Sequence, residues 1–228
     1  MKPLTTNGLV PALAFPIAPY EAVQAKVSKK WSTHPLYDHY VGSWNALAYR
    51  FQGAIDAGSA FSKSISEFGA SPSPIERYKQ EQELFNFFSC GFSAFEATFN
   101  AAFTFGAFIL PASFSLSTPK DQQRVSPTLT MHTYNRAFVN DPILNVFSKL
   151  VADSAYQQWR EVRNVLIHRT APGRRIYVSI GDDAAPGVEW KLNNIKLDKE
   201  LVPDRQHELG RLVGDLVSGL DTFLIGRT

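Results

Sequence analysis

Three residues in the second half of the chain, Arg163, Asn164 and His168, carry side chains that can act together on a phosphodiester. An arginine presents a planar fork of donors that matches phosphate oxygens. A histidine titrates near neutral pH and can therefore move protons. The amide of Asn164 can orient either the imidazole or the phosphate. These residue types predict phosphoryl chemistry by charge stabilisation and proton transfer.

The neighbourhood of these residues is strongly basic. Residues 160–175 contain five arginines and one acid, Glu161. On a helix, Arg160, Asn164 and His168 are each four positions apart and share one face, with Arg163 at its side. Trp159, Val162 and Leu166 share another face, which we expect to be buried.

These groups suffice for RNA cleavage that needs no metal. The ribose 2′-hydroxyl is a nucleophile that RNA supplies itself. His168 can accept its proton or protonate the leaving oxygen, and Arg163 can stabilise charge on the phosphoryl oxygens. The predicted reaction requires no cofactor.

The same stretch resembles the active-site motif of HEPN-type ribonucleases. That motif is an arginine followed by four to six residues and a histidine, with a polar residue, often asparagine, after the arginine. Here four residues separate Arg163 from His168, Asn164 holds the polar position, and the motif ends a helix. The resemblance covers roughly residues 35–225, but its specific part is the short motif.

The resemblance implies a helical bundle that forms its active site across a twofold homodimer. Many HEPN proteins are RNA-cleaving toxins or defence proteins, and some have lost catalysis. It therefore implies an RNA substrate, a second copy of the chain, and an antitoxin or regulatory protein as a further partner.

Two alternatives remain open at this stage. The chain can be a non-catalytic helical module that binds RNA or protein through the basic surface around residues 160–175, including Arg169, Arg174 and Arg175. It can also be a structural protein whose N-terminal arm contacts a neighbour. The competing interpretation of the motif itself is that Arg163 pairs with a surface acid and His168 caps a helix.

Two further residues, Glu96 and Arg160, are predicted to support the site. Glu96 is an isolated acid in a Phe-rich apolar segment, where a carboxylate must be paired or neutral. It can face Arg163 or Arg160 and orient the catalytic arginine. Structural pairing with another core residue is the competing interpretation.

Other candidate sites are weaker. His34, Asp38 and His39 are close in sequence, but nothing nearby completes a tetrahedral ligand set, so we predict no metal site. Cys90 lies among small and apolar residues, which favours a buried thiol. A single cysteine cannot form an internal disulfide, which is typical of a reducing, cytoplasmic environment.

Composition also limits the possible functions. The net charge is +2, so attraction to nucleic acid must come from a local patch. Residues 84–110 are long enough to cross a bilayer, but phenylalanines recur there at helical spacing and Glu96 interrupts the run. We therefore predict a buried central helix without membrane insertion. Residues 9–18 are apolar but broken by prolines, and we expect no export signal.

Hydrophobic periodicity predicts a mainly α fold, a helical bundle with a small β-hairpin before the C-terminal helix. We expect an irregular N-terminal arm over residues 1–34 and a HEPN-like helical domain over 35–228. Within that domain, 111–140 is predicted to be a loop-rich insertion and 174–198 the β-hairpin, extended by residues 195–197. The predicted helices span residues 35–68, 76–110, 141–150, 153–168 and 203–224.

Overall fold

The computed structural model describes residues 14–168, 172–177, 187–192 and 194–227. Across these residues the chain is mainly α, as the sequence predicts, with a small antiparallel sheet before the final helix. The helices are α1 (Ile17–Trp31), α2 (Tyr37–Phe68), α3 (Pro74–Ile109), α4 (Pro119–Arg124), α5 (Pro127–Ala137), α6 (Ile143–Ala152), α7 (Ser154–His168) and α8 (Leu201–Leu224). The strands are β1 (Arg174–Tyr177), β2 (Gly187–Leu192) and β3 (Ile195–Lys196).

The long α2–α3 hairpin forms the centre of the fold. Helix α3 begins after Ser73, whose side chain accepts a hydrogen bond from the Glu76 backbone N–H at 3.5 Å, and Pro74 occupies the first turn. The fully buried Gln80 ties this end of the hairpin together. Its amide donates to the carbonyl oxygens of Ser64 at 3.2 Å and Gly69 at 3.1 Å.

Helix α3 is a core helix that other helices surround. Its phenylalanines are buried against α2 on one side and against α5 and α7 on the other. No helix in the described part of the chain combines the length and apolarity that a bilayer span requires. The prediction of a buried central helix for this segment is confirmed.

The first described segment corrects the prediction of an irregular arm over residues 1–34. Helix α1 occupies much of it and buries four residues against the rest of the core. The spacing of these residues is helical, but the prolines around them suggested a broken chain. Pro19 lies in the first turn of α1, where a missing N–H costs no hydrogen bond. The buried residues are Tyr20, Val23, Val27 and Trp31.

The predicted loop-rich insertion over residues 111–140 is also partly wrong, because it contains α4 and α5. Thr118 and Ser126 cap these helices, and each is followed by a proline at the first position. A segment rich in Ser, Thr and Pro is typical of loops, but Ser or Thr followed by Pro is also a helix start. Tyr134 then anchors α5 by donating to the Ala102 carbonyl oxygen at 2.6 Å.

The small sheet differs from the predicted hairpin in its second arm. Strands β1 and β2 pair antiparallel, with Arg174 opposite Trp190. Residues of β3 do not extend β2 but turn back to pair with it, giving the order β1-β2-β3. The chain direction thus reverses between β2 and β3, which alternation of apolar residues alone does not reveal.

The last part of the bundle consists of α6, α7 and α8. The α6–α7 boundary lies at Asp153, where the sequence predicts that Asp153 or Ser154 starts the next helix. Helix α8 packs its apolar face on α1, α2, α3 and α6. The predicted helices other than those in the corrected segments are thus confirmed, and α7 is held between α3 and α6.

Candidate functional site

Helix α7 is fixed by an aromatic face that packs against α3. Tyr156 and Trp159 are buried, and Val162 continues the same face one turn later. Trp159 lies 5.0 Å from Phe87 and 4.9 Å from Phe88, measured between ring centroids. The predicted burial of Trp159 and Val162 is confirmed, whereas Leu166 is half-buried and its neighbour Val165 lies deeper.

Gly91 allows the close approach of α7 to α3. A methyl group added at Gly91 would stand 2.3 Å from Cζ3 of Trp159. Real carbon contacts are never that short, so the indole uses the space that the missing side chain leaves. The close packing of Trp159 against Gly91 fixes the rotation of α7 about its axis. It thereby determines which residues of α7 face outward.

The N-terminus of α7 is fixed by Asp153. One carboxylate oxygen accepts from the Ala155 N–H at 2.8 Å, and the other accepts from Arg211 at 2.8 Å. Burial acts to raise the pKa of Asp153, but the hydrogen bonds from Arg211 and the Ala155 amide outweigh it and lower the pKa below its usual 3.8. The carboxylate is therefore charged at neutral pH, and its negative charge interacts favourably with the positive end of the helix dipole.

Arg163 lies at the edge of this packed face and is paired with Glu96. Its Nη2 atom is 3.4 Å from Oε1 of Glu96, and its Nη1 atom donates to Oδ1 of Asn164 at 3.1 Å. Its guanidinium carbon stands 5.5 Å from the centre of the Phe92 ring. The side chain of Arg163 is 21% exposed and that of Glu96 34%, so the pair is accessible to a ligand. Glu96 thus contacts one of the two arginines predicted for it.

The surroundings of Glu96 are polar on one side and aromatic on the other. The Ser93 hydroxyl donates to Oε2 of Glu96 at 3.3 Å. Tyr156 lies on the aromatic side, where burial raises its pKa to about 12; Arg160 lowers this pKa and Glu96 raises it. Tyr156 is therefore a neutral phenol at physiological pH, and the charges near it belong to the arginines and Glu96.

His168 is the last residue of α7 and its side chain is exposed. Among the described residues, its imidazole has no hydrogen-bond or ion-pair partner. Positions five apart on an ideal α-helix point about 140° apart and are separated by about 7.5 Å along the axis. Arg163 is turned towards α3, so the structure brings Glu96, Arg163 and Asn164 together and leaves His168 apart at the helix end.

The other predicted arginines differ widely in their surroundings. Arg160 is exposed and donates to the side chain of Gln157. Arg174 is engaged by protein groups: it donates to the Ala70 carbonyl oxygen at 2.8 Å and to Oε1 of Gln80 at 2.9 Å. Arg175 is exposed on the sheet. Arg169 lies outside the described residues.

Trp190 adds a further contact to Arg174. The guanidinium carbon of Arg174 is 3.8 Å from the centre of the indole ring, a stacked cation–π arrangement. Burial lowers the pKa of the Arg174 guanidinium, and Glu81 opposes that shift. The contacts of Arg174 therefore connect the sheet to the end of the α2–α3 hairpin.

A polar cleft of about 410 Å³ opens next to Glu96, between α2, α3 and the segment before α5. We call it the Glu96 cleft; its polar lining comes from Ser43, Arg50, Glu96, Asn100 and Ser126. Sequence analysis assigned no role to Ser43, Arg50 or Asn100. A signal did exist in α3, where Ser89, Ser93, Glu96 and Asn100 follow each other at steps of four, three and four and so form a polar stripe.

A larger groove, of about 650 Å³, lies between α6 and α8. Arg211 in its wall is ion-paired with Asp153 at 2.8 Å and with Asp215 at 3.7 Å. The groove contains none of Glu96, Arg163, Asn164 and His168. We therefore consider the smaller, more polar Glu96 cleft the better candidate for chemistry.

The remaining candidate residues from the sequence, His34 and Cys90 among them, pack against or bond to other groups of the protein. His34 accepts from the Leu36 N–H at 3.1 Å, and its ring packs edge-on against Phe108. No cluster of three or more His, Cys, Asp or Glu residues occurs within the described ranges. Cys90 is half-buried, and burial raises its pKa despite the nearby Arg50, so its thiol is protonated at neutral pH.

Comparison of the chain with protein-family models, curated proteins and solved structures finds no significant match.

Proposed function

We propose that this protein is a metal-independent endoribonuclease of the HEPN type that acts as a homodimer. One observation carries the proposal. Arg163 is held by Glu96 and Asn164 at an accessible edge of the bundle, and the same helix ends in an exposed histidine, His168. An arginine fixed by a carboxylate can stabilise a phosphoryl group without reorganising, which is the condition for electrostatic catalysis.

The proposed reaction is an internal transfer of the phosphoryl group. The 2′-hydroxyl loses its proton and its oxygen attacks phosphorus, while the bond from phosphorus to the 5′-oxygen breaks. The 5′-oxygen takes up a proton, so the products are a 2′,3′-cyclic phosphate and a 5′-hydroxyl. His168 transfers protons, Arg163 stabilises the charge on the non-bridging oxygens, and Asn164 orients them.

The positions of Arg163 and His168 favour a second copy of the chain. Within one helix the two side chains point about 140° apart. Two α7 helices that meet around a twofold axis would place the exposed His168 of one copy near the Arg163 edge of the other. A closed twofold contact of this kind uses one surface twice, as in most homodimers. The motif resemblance implies the same arrangement.

The wider biological role follows from the resemblance. A toxin or defence function requires a control on RNA cleavage in the cell. An antitoxin or regulatory protein that covers Arg163 and His168 would provide it, and we include such a partner in the proposal.

The test incubates wild-type, Arg163→Ala and His168→Ala proteins with mixed RNA in excess EDTA. We expect wild-type cleavage to persist and each variant to lose about 10²- to 10⁴-fold in rate, because loss of a proton-transfer or charge-stabilising group has effects of that size. Arg77→Ala is the matched control, since Arg77 pairs with Glu81 near the far end of α3. Equal cleavage by all four proteins would indicate a contaminating nuclease and contradict the proposal.

A second candidate is a non-catalytic RNA- or protein-binding module. It is favoured by the sheet surface, where the exposed Arg175 and Lys191 line a polar depression of about 600 Å³. RNA binding by the wild-type protein without cleavage, reduced by Arg175→Ala and unchanged by His168→Ala, would favour this candidate over the enzyme.

A further inference from the structure

The Glu96 cleft and the Arg163 edge share one residue. Glu96 contributes one carboxylate oxygen to the pair with Arg163 and also lines the cleft. The polar stripe of α3 continues from Glu96 to Asn100 inside the cleft. An RNA chain with a phosphate at Arg163 can therefore continue along α3 into this cleft.

The Asn100 amide is oriented by neighbours from α2. Its Oδ1 atom lies 2.9 Å from Nε2 of His39 and 3.2 Å from the hydroxyl of Ser43. The Ser43 hydroxyl also lies 3.0 Å from the His39 carbonyl oxygen. Since these groups occupy the amide oxygen, the Asn100 NH₂ group is left to donate to an acceptor in the cleft.

Arg50 provides a positive charge to the cleft from α2. Its Nη1 atom donates to the Ser93 carbonyl oxygen at 3.2 Å, which fixes the guanidinium at the cleft, and the side chain is otherwise exposed. An arginine has five N–H donors in a fixed fork, so the remaining donors can contact phosphate oxygens. The cleft thus offers the Arg50 guanidinium as a cation, the Asn100 amide as a donor and the Glu96 carboxylate as an acceptor.

We propose that the Glu96 cleft binds the nucleotide next to the scissile phosphate of a single-stranded RNA, with Arg50 contacting its phosphate and Asn100 donating to an oxygen of the same nucleotide. The volume, about 410 Å³, lies in the range of small-molecule sites, which is about 300–1,000 Å³. Single-stranded RNA can place one nucleotide in the cleft and the next phosphate at Arg163, because its backbone can bend and its bases are unpaired. This inference rests on the proposed function, and it extends that site by a binding subsite.

The test measures binding of a fluorescent single-stranded RNA oligonucleotide to His168→Ala protein, in which the RNA stays intact. Adding Arg50→Ala should raise Kd about tenfold, because a charge-assisted phosphate contact is lost. The slope of log Kd against log salt should fall by about 0.7, as expected for one phosphate contact on a single strand. Arg50→Lys should keep that slope, since the charge remains.

Arg77→Ala is the matched control, because Arg77 and Glu96 are separated by about 28 Å along α3. In the protein with His168 intact, Arg50→Ala should raise KM while kcat changes less than twofold. The unfolding midpoints of the Arg50 and Arg77 variants are compared first, so that a loss of folding is recognised. Arg50→Lys provides a second variant of Arg50, in which the charge is retained.

The outcomes separate this inference from the proposed function. If Arg50→Ala binds RNA as tightly as Arg77→Ala, the cleft does not bind the substrate, although His168-dependent cleavage would still support the enzyme. If the wild-type protein leaves RNA intact while Arg50→Ala weakens binding, the cleft is supported as an RNA-binding site and catalysis is overturned.

Discussion

Arg163 and Arg174 belong to the same arginine-rich stretch of sequence but have opposite surroundings. Arg174 donates to Ala70 and Gln80 and stacks on Trp190, so both of its terminal nitrogens and one face are engaged by protein groups. Arg163 contacts Glu96 and Asn164 at an accessible edge. A count of arginines therefore overestimates the surface available to RNA, because part of the cluster connects elements of the fold.

The two arginines also differ in what depends on them. Gln80 is fully buried, and Arg174 is the donor to its carbonyl oxygen, so removing Arg174 leaves a buried acceptor unpaired. Glu96 is 34% exposed, so water can replace Arg163 if that side chain is removed. We expect Arg174 to matter for stability and Arg163 for function.

The largest expected effect on stability tests this contrast directly. Arg174→Ala should lower the free energy of unfolding by about 2–3 kcal/mol, since it removes a cation–π contact and leaves the side-chain oxygen of Gln80 and the Ala70 carbonyl oxygen without their donor. Arg163→Ala should lower it by less than about 1 kcal/mol, because a partly exposed ion pair contributes little. Urea unfolding followed by circular dichroism measures both, and equal values for the two variants would contradict the assignment.

Packing beneath Arg163 gives the next effect. Gly91→Ala should destabilise the protein by about 1–3 kcal/mol, because the new methyl group collides with the Trp159 ring. Gly42→Ala is the matched control: its added methyl meets nothing within 4 Å, and alanine in a helix is favoured by about 0.5–1 kcal/mol over glycine. If both substitutions change the unfolding temperature in the same direction, the close packing of Trp159 on Gly91 is not what positions Arg163.

The cap of α7 should have a smaller, pH-dependent effect. Asp153→Ala should cost about 1 kcal/mol at pH 7 through loss of the hydrogen bond to the Ala155 N–H. The folded pKa of Asp153 lies below its usual 3.8, so its charge-dependent stabilisation is present above that pH and lost as the pH falls through the folded pKa.

Asp153→Asn separates the two parts of this effect, because an amide oxygen retains the cap but loses the charge. Its difference from wild type should shrink below about pH 4. A difference that is constant from pH 7 to pH 3, measured by chemical unfolding, would argue against a charged cap at α7.

The smallest expected change in stability comes from Glu96→Gln. The free energy of unfolding should change by less than about 1 kcal/mol, because the amide oxygen of glutamine can still accept from Arg163 and both side chains reach solvent. If Glu96 positions Arg163 for catalysis, kcat for RNA cleavage should fall while KM is unchanged, and the fall should be smaller than for Arg163→Ala. An unchanged kcat would leave Glu96 a purely structural partner.

Long helices were predictable from sequence because periodic apolar residues dominate them. Helices α2, α3, α7 and α8 have such patterns, and their predicted bounds agree with the structure to within a few residues. The shorter α4 and α5 were missed because their capping residues, Thr118 and Ser126, resemble turn residues when followed by proline. Helix α1 was missed for a similar reason, since prolines near its start hid a helical spacing.

The candidate site was predictable in part. The isolated acid in an apolar helix predicted a partner for Glu96, and the spacing of the motif selected Arg163. Arg50 and Asn100 come from positions that are 113 and 63 residues away from Arg163 in the chain (163 − 50 and 163 − 100). Nothing in their local sequence indicates that they approach Glu96, because that proximity arises from the pairing of α2 with α3.

The sequence by itself determined the helical class of this protein, the position of the buried Phe-rich helix, and the placement of an arginine, an asparagine and a histidine at the end of one helix. These features depend on local spacing and on the cost of exposing apolar residues or burying a lone charge. The tertiary structure decided which arginines are engaged and which face solvent, and which polar residues of α2 share a cleft with Glu96. Those outcomes depend on the rotation and close approach of packed helices, and these are set by contacts such as Trp159 on Gly91 that join distant parts of the chain.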